Sequence, residues 1–105
     1  MSWAPTTQTN GTTEISGSWV KANKDSGSFQ FVDCREQAEW DAQNIPGAQL
    51  IPLSDWASAL HKLDKSKPVV VHCRSGARSA QAANFLIQHG YHAASMAGGI
   101  IHYPF

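Results

Sequence analysis

Residues 69–71 are three consecutive valines, introduced by Pro68 and followed by His72-Cys73-Arg74-Ser75-Gly76-Ala77-Arg78-Ser79. A short apolar run punctuated by proline and ending in a glycine-bearing loop reads as a strand buried on both faces, as in parallel sheets. Over residues 79–89 apolar side chains return at helical spacing, with Ala82, Phe85 and Leu86 on one stripe and Tyr91 beyond it. Strand, tight loop and helix therefore follow one another. A loop of this kind directs successive backbone N–H groups and the positive end of the next helix at one point, which favours an anion. Gly76 lets it curl where a Cβ would clash.

Cys73 opens that loop. A cysteine after three valines is most often a small buried hydrophobe, yet Arg74 and Arg78 have no obvious use beside a merely packed thiol. A Cys73 thiolate is the natural anion for the loop, with its pKa lowered by the helix N-terminus and the two arginines. The Arg78 fork of donors suits a substrate anion, and Arg74 is expected to set the field at the mouth. The amides of Arg74, Ser75, Gly76, Ala77, Arg78 and Ser79 line the cradle, and the Ser79 hydroxyl either donates to the sulfur or starts the helix.

The rest of the chain alternates in the same way. Residues 1–14 are rich in threonine, serine and asparagine and read as a flexible segment, with the domain running over residues 15–105 from the apolar anchor Ile15. Strands are expected at 29–32, 48–51, 69–72 and 93–96. Helices are expected around Trp19 and Val20, at 36–42 with Trp40 inward, at 53–63 with Ser54 as N-cap, and at 79–89. This pattern predicts an α/β domain with a mainly parallel central sheet and helices on both faces. Ligands of such sheets sit beyond the carboxyl ends of the strands, where Cys73 falls. Asp33 and Arg35, at the end of the first core strand, read as a charge network bracing the loop. His72 alternates away from Cys73 and reads as packed. Tyr103 and Phe105 either cover the pocket or close the core.

With 105 residues, of which 42% are hydrophobic, one modest core is expected, and a formal net charge of zero gives no reason to invoke nucleic acid or a membrane surface. Every acid lies at or before Asp64, so the half carrying Cys73 is basic and favours an anionic substrate. No stretch approaches the roughly 20 apolar residues of a membrane span, and no signal peptide is evident. The histidines show no metal-ligand spacing, and no metal or cofactor is expected. Two cysteines make no disulfide scaffold, so a reducing cytoplasm is expected. Cys34 reads chiefly as a packing residue, with a resolving role as the alternative.

The loop 73–79 resembles the active-site loop of single-domain rhodaneses, the thiosulfate sulfurtransferases. Phe31-Val-Asp-Cys-Arg-Glu36, Asn44-Ile-Pro-Gly-Ala48 and Met96-Ala-Gly-Gly-Ile100 resemble further landmarks of that family, in the family's order. The resemblance runs over about residues 29–101. Tyr103 stands where the family usually has tryptophan, and the chain stops at Phe105 where the family usually continues. The resemblance implies a persulfide on Cys73, formed from a small anionic donor such as thiosulfate and passed to cyanide, a thiol or a protein persulfide partner. The loop is one residue shorter than the His-Cys-five-residues-Arg signature of phosphatases, so it suits a single sulfur rather than a tetrahedral phosphorus. The mercaptopyruvate branch, whose loops typically lack this arginine pair, is disfavoured. The alternatives are a non-catalytic rhodanese-like binding module and a persulfide carrier dedicated to one partner.

Overall fold

The computed structural model describes residues 3–105. Six strands form one sheet: β1 (Thr7–Thr9), β2 (Thr12–Ile15), β3 (Gln30–Asp33), β4 (Gln49–Leu50), β5 (Val69–His72) and β6 (Ala93–Met96), in the order β1-β2-β6-β5-β3-β4. Among the described residues only the β1–β2 pair is antiparallel. The helices are α1 (Gly17–Asn23), α2 (Gln37–Ala42), α3 (Trp56–Ala59) and α4 (Ala77–Gln88). The expected α/β class and mainly parallel sheet are found.

The three valines of β5 are fully buried because the sheet is covered on both faces. Val69 and Val71 pack with Trp56 and Ala59 of α3 and Ala82, Ala83 and Leu86 of α4, while Val70 packs with Phe31, Val20 of α1 and Met96. Alternation along the strand thus feeds two cores, and burial of each such side chain stabilises the fold by roughly 1.5–3 kcal/mol. Ser16 starts α1 by accepting the Trp19 N–H at 3.2 Å on its side chain.

Three expectations are corrected. Residues 7–14 of the segment expected to be flexible, together with Ile15, form the β1–β2 hairpin, and β2 docks parallel to β6 with Ile15 opposite Met96. Asn10 (φ 51°) and Gly11 (φ 78°) make the two-residue turn with positive φ at both positions that matches strand twist. The first two residues of that segment lie outside the described residues. The helix expected at 53–63 is broken into a 3-10 turn at Leu53–Asp55, α3, and a second 3-10 turn at Leu60–Lys62, with no Ser54 cap. The Leu53 N–H donates to Cys34 O (3.1 Å) and the Trp56 indole to Ile51 O (2.9 Å), so this segment is tied to the sheet at intervals too short for one continuous helix. Finally, α4 starts at Ala77, which puts Arg78 inside its first turn. Tyr103 is buried in the core beside Phe105 and takes no part in lining the cleft described below.

Candidate active site

Cys73 follows β5 directly, at the carboxyl end of the sheet, with 1% of its surface exposed. Gly76 adopts φ +116°, open to glycine and strained for any other residue, and thereby turns the chain back so that its own N–H reaches Cys73 Sγ at 3.1 Å. The Ser79 N–H lies 3.4 Å from the same sulfur and Ser79 Oγ also 3.4 Å. Ser95 of β6 sits 2.7 Å from Ser79 Oγ. With Cys73 as a thiol, Cys73 Sγ donates to Ser79 Oγ and the Ser79 hydroxyl donates to Gly76 O at 3.2 Å; once Cys73 is a thiolate, the single Ser79 proton can turn to the sulfur instead. Of the six amides expected in the cradle, those of Gly76 and Ser79 reach Sγ.

These groups hold the Cys73 thiol well below its ordinary pKa. The largest cause is the Cys34 thiol, which donates towards Cys73 Sγ; burial opposes it, and the Ser79 hydroxyl, the Ser79 amide and the Gly76 amide add to it. The Cys34 thiol is pushed far up by that same hydrogen bond, by its burial and by the neighbouring Cys73 charge, so it stays protonated. Cys34, read from sequence chiefly as packing with a resolving role as the alternative, therefore also helps to lower the pKa of the nucleophile beside it.

Arg78 is engaged differently from expectation. Both donors of the Arg78 fork are taken by Glu39, at 2.7 and 2.9 Å. This pair joins the acidic half of the chain to the basic half and cancels part of the expected field. Glu39 is held at about 2, mainly by the Arg78 fork and, after an opposing contribution from burial, by the Glu36 amide and the charges of Arg78 and Arg35. Arg74 is exposed and makes no ion pair among the described residues. Arg74, Arg35, Glu39, Ala42, Gln43, Ile100 and Ile101 surround a cleft of about 210 Å³ beside the loop. A larger cavity of about 250 Å³, lined by Trp3, Thr13, Ile87 and Tyr91 among others, contains no residue of the loop and lies away from the chemistry.

Asp33 and Arg35 form a buried bidentate pair, with Arg35 Nη2 2.7 Å from Asp33 Oδ2. The guanidinium also donates to Gln43 O at 2.6 Å and to Glu39 O at 3.5 Å. The network thus braces α2, which carries Glu39, and reaches the loop through the Glu39–Arg78 pair and through His72, which lies 3.6 Å from Asp33 Oδ2 and 3.4 Å from the Cys73 carbonyl. His72 packs against Phe31 on the face opposite Cys73, as expected, and burial lowers its pKa so that it is neutral.

Sequence reasoning did not find roles for Glu39, Ser95 or the backbone after β6. The amides of Ile100 and Ile101 donate to the carbonyls of Cys73 (2.9 Å) and Arg74 (3.3 Å), pinning the loop from outside. Gly99, at φ +64°, lies so close that an added Cβ would collide with the Arg74 carbonyl and the Ser75 amide. The glycine pair noted in the sequence was the available signal. No group of three or more metal-ligating side chains occurs among the described residues.

The profile of the rhodanese-like domain matches residues 16–102. A sulfurtransferase of Allochromatium vinosum is 38% identical over 78 residues, covering 73% of this chain and 73% of that protein. The probable adenylyltransferase/sulfurtransferase MoeZ of Mycobacterium tuberculosis is 38% identical over 81 residues, which cover 73% of this chain but only 21% of that protein's length. Among solved structures, a rhodanese-like domain protein from Staphylococcus aureus superposes with a TM-score of 0.80 at 28% identity, over 86% of this chain and 89% of that one.

Proposed function

This chain belongs to the rhodanese-like domain family, and from that premise we propose that it is a sulfurtransferase working through a persulfide on Cys73. The observation that carries the reading is the Cys73 sulfur beneath the Gly76 and Ser79 amides and the Ser79 hydroxyl, at the N-terminus of α4. Such a cradle stabilises negative charge on sulfur and does nothing for a thiol that is only packed.

The Cys73 thiolate attacks the outer sulfur of thiosulfate, the sulfur–sulfur bond of the donor breaks, and sulfite leaves with the electron pair. Arg74, exposed at the cleft, receives the donor's anionic oxygens. The fork of Arg78, assigned from sequence to that task, is occupied by Glu39 in the resting site and becomes available only when that pair opens. A thiol or cyanide then attacks the outer sulfur of the persulfide and Cys73 departs as thiolate, which the cradle favours as a leaving group. A reducing compartment such as the cytoplasm keeps the site in its thiol form between turnovers.

The test is the intact mass of the protein after incubation with thiosulfate, before and after cyanide. A gain of one sulfur that cyanide discharges as thiocyanate, absent from Cys73→Ser, is expected. A folded protein that gains no sulfur would overturn the proposal.

A further inference from the structure

β3 and β5 are parallel neighbours with Asp33 opposite His72, and the ladder continues one bond further, from the Cys34 N–H to His72 O at 3.0 Å. Cys34 and Cys73 therefore leave adjacent strands side by side. Alternation puts both side chains on the same face, in the same core cluster, with 0% and 1% of each residue exposed. Adjacent strands lie about 4.7–4.9 Å apart, within the Cα separation of about 4.4–6.8 Å that a disulfide spans. The Leu53 N–H, donating to Cys34 O, holds Cys34 in this register. Sulfur transfer to an outside acceptor makes no use of Cys34 as a nucleophile.

We propose that Cys34 discharges the Cys73 persulfide when no acceptor arrives, closing a Cys34–Cys73 disulfide and expelling hydrogen sulfide. The inference rests on the sulfur-transfer reading above. Cys34 Sγ attacks the inner sulfur, Cys73 Sγ. The bond between Cys73 Sγ and the outer sulfur breaks, its electron pair stays with the outer sulfur, and that sulfur takes up the Cys34 proton as it leaves. The sulfane sulfur is reduced to sulfide, and the two cysteine sulfurs are oxidised to the disulfide. No oxidant besides the donated sulfur enters. Before loading, Cys34 is a protonated donor to the Cys73 thiolate and does not compete for the donor molecule. After loading, the charge sits one atom further out, and the outer sulfur becomes the base for the Cys34 proton. A thiol reductant reopens the pair. The site thus ends an unproductive loading in a closed, sulfur-free form.

The full chain is loaded with thiosulfate, freed of excess donor, and followed without acceptor by intact mass, sulfide release and peptide mapping. The expected course is a gain of one sulfur followed by a form two hydrogens lighter than the starting dithiol, with one sulfide released per chain, Cys34 and Cys73 joined, and the starting mass restored by a thiol reductant. Cys34→Ala, and the closer-packing Cys34→Val, lose the neighbour that most lowers the Cys73 pKa and are expected to load more slowly; loaded to completion before the donor is removed, they are expected to lose this conversion and keep the persulfide. A wild-type persulfide that persists as it does in these variants, or that decays without joining the two cysteines, overturns the inference and leaves the sulfur-transfer reading intact. If neither protein gains sulfur, both fall.

Discussion

Glu39 of α2 closes both donors of the Arg78 fork, so the guanidinium in the first turn of α4 is neutralised locally while Arg74, four residues earlier, stands free at the cleft. The two arginines are therefore expected to separate in kinetics. Arg74→Ala removes a charge-assisted contact worth about 1.5 kcal/mol and should raise KM for thiosulfate roughly tenfold. Glu39→Gln frees Arg78 to join the donor and should lower KM. A rise in KM with Glu39→Gln would show instead that the pair works as a unit.

Ser79→Ala deletes the hydroxyl donor to Cys73 Sγ while leaving the amides in place. The folded thiol has a depressed pKa, so its alkylation by iodoacetamide should stay fast well below the pH at which an ordinary thiol protonates. In the variant this plateau should break at higher pH. Superimposable profiles would remove Ser79 from the stabilisation of the thiolate.

Gly99→Ala drives a methyl group into the Arg74 carbonyl and the Ser75 amide, at a φ of +64° that an L side chain rarely adopts. Stability should fall by about 1–3 kcal/mol, and sulfur loading should fall further than stability explains, because the same backbone pins the loop. A fully loading, destabilised variant would limit Gly99 to packing.

Arg35→Leu leaves the Asp33 carboxylate buried without its partner. Loss of one member of such a pair costs about 3–5 kcal/mol, and urea unfolding of Arg35→Leu against the wild type checks it. The double replacement Asp33→Asn with Arg35→Leu should recover part of the loss, since no uncompensated charge then remains inside.

Acid should weaken the Glu39–Arg78 tie. Glu39 titrates at about 2 in the folded chain against an ordinary 4.5. A depressed carboxylate stabilises fully above its unfolded pKa, and that stabilisation is lost as pH falls through the folded one. The stability gap between wild type and Glu39→Gln should therefore close as pH drops from about 4.5 towards 2. A gap that stays constant over this range would place the tie outside the stability of the fold.

The parts of this site that are contiguous in the chain were legible in the sequence: the strand at 69–72, Cys73, the turn at Gly76, and a helix after it, although that helix begins at Ala77 rather than at Ser79. Groups that support the loop by sheet register or by close approach of distant backbone were less so. Ser95 reaches Ser79 through β6 and Gly99 reaches the backbone of residues 74–75 by folding back over it, and neither was foreseen, while Cys34, which arrives through the β3–β5 ladder, was legible only as the resolving alternative to packing. Arg78 suited either an ion pair or a substrate anion, and spacing holds no information about a carboxylate 39 residues away. The broken segment at 53–63 looked helical because Trp56, Leu60 and Leu63 share a stripe, and hydrogen bonds to Cys34 and Ile51 overrode it. The hairpin at 7–15 was legible, since Asn10-Gly11 between threonine-rich runs is a turn signal, but the polar composition around it obscured it.

The Ile100 and Ile101 amides that hold the loop carbonyls lie beyond every strand of the sheet in chain order. β2 likewise finds its parallel partner only in β6, some 80 residues later. A ribosome making this domain from its N-terminus therefore delivers Cys73 well before the backbone that clamps its loop. The nascent chain carries an ordinary thiol, and sulfur chemistry switches on only as the domain closes.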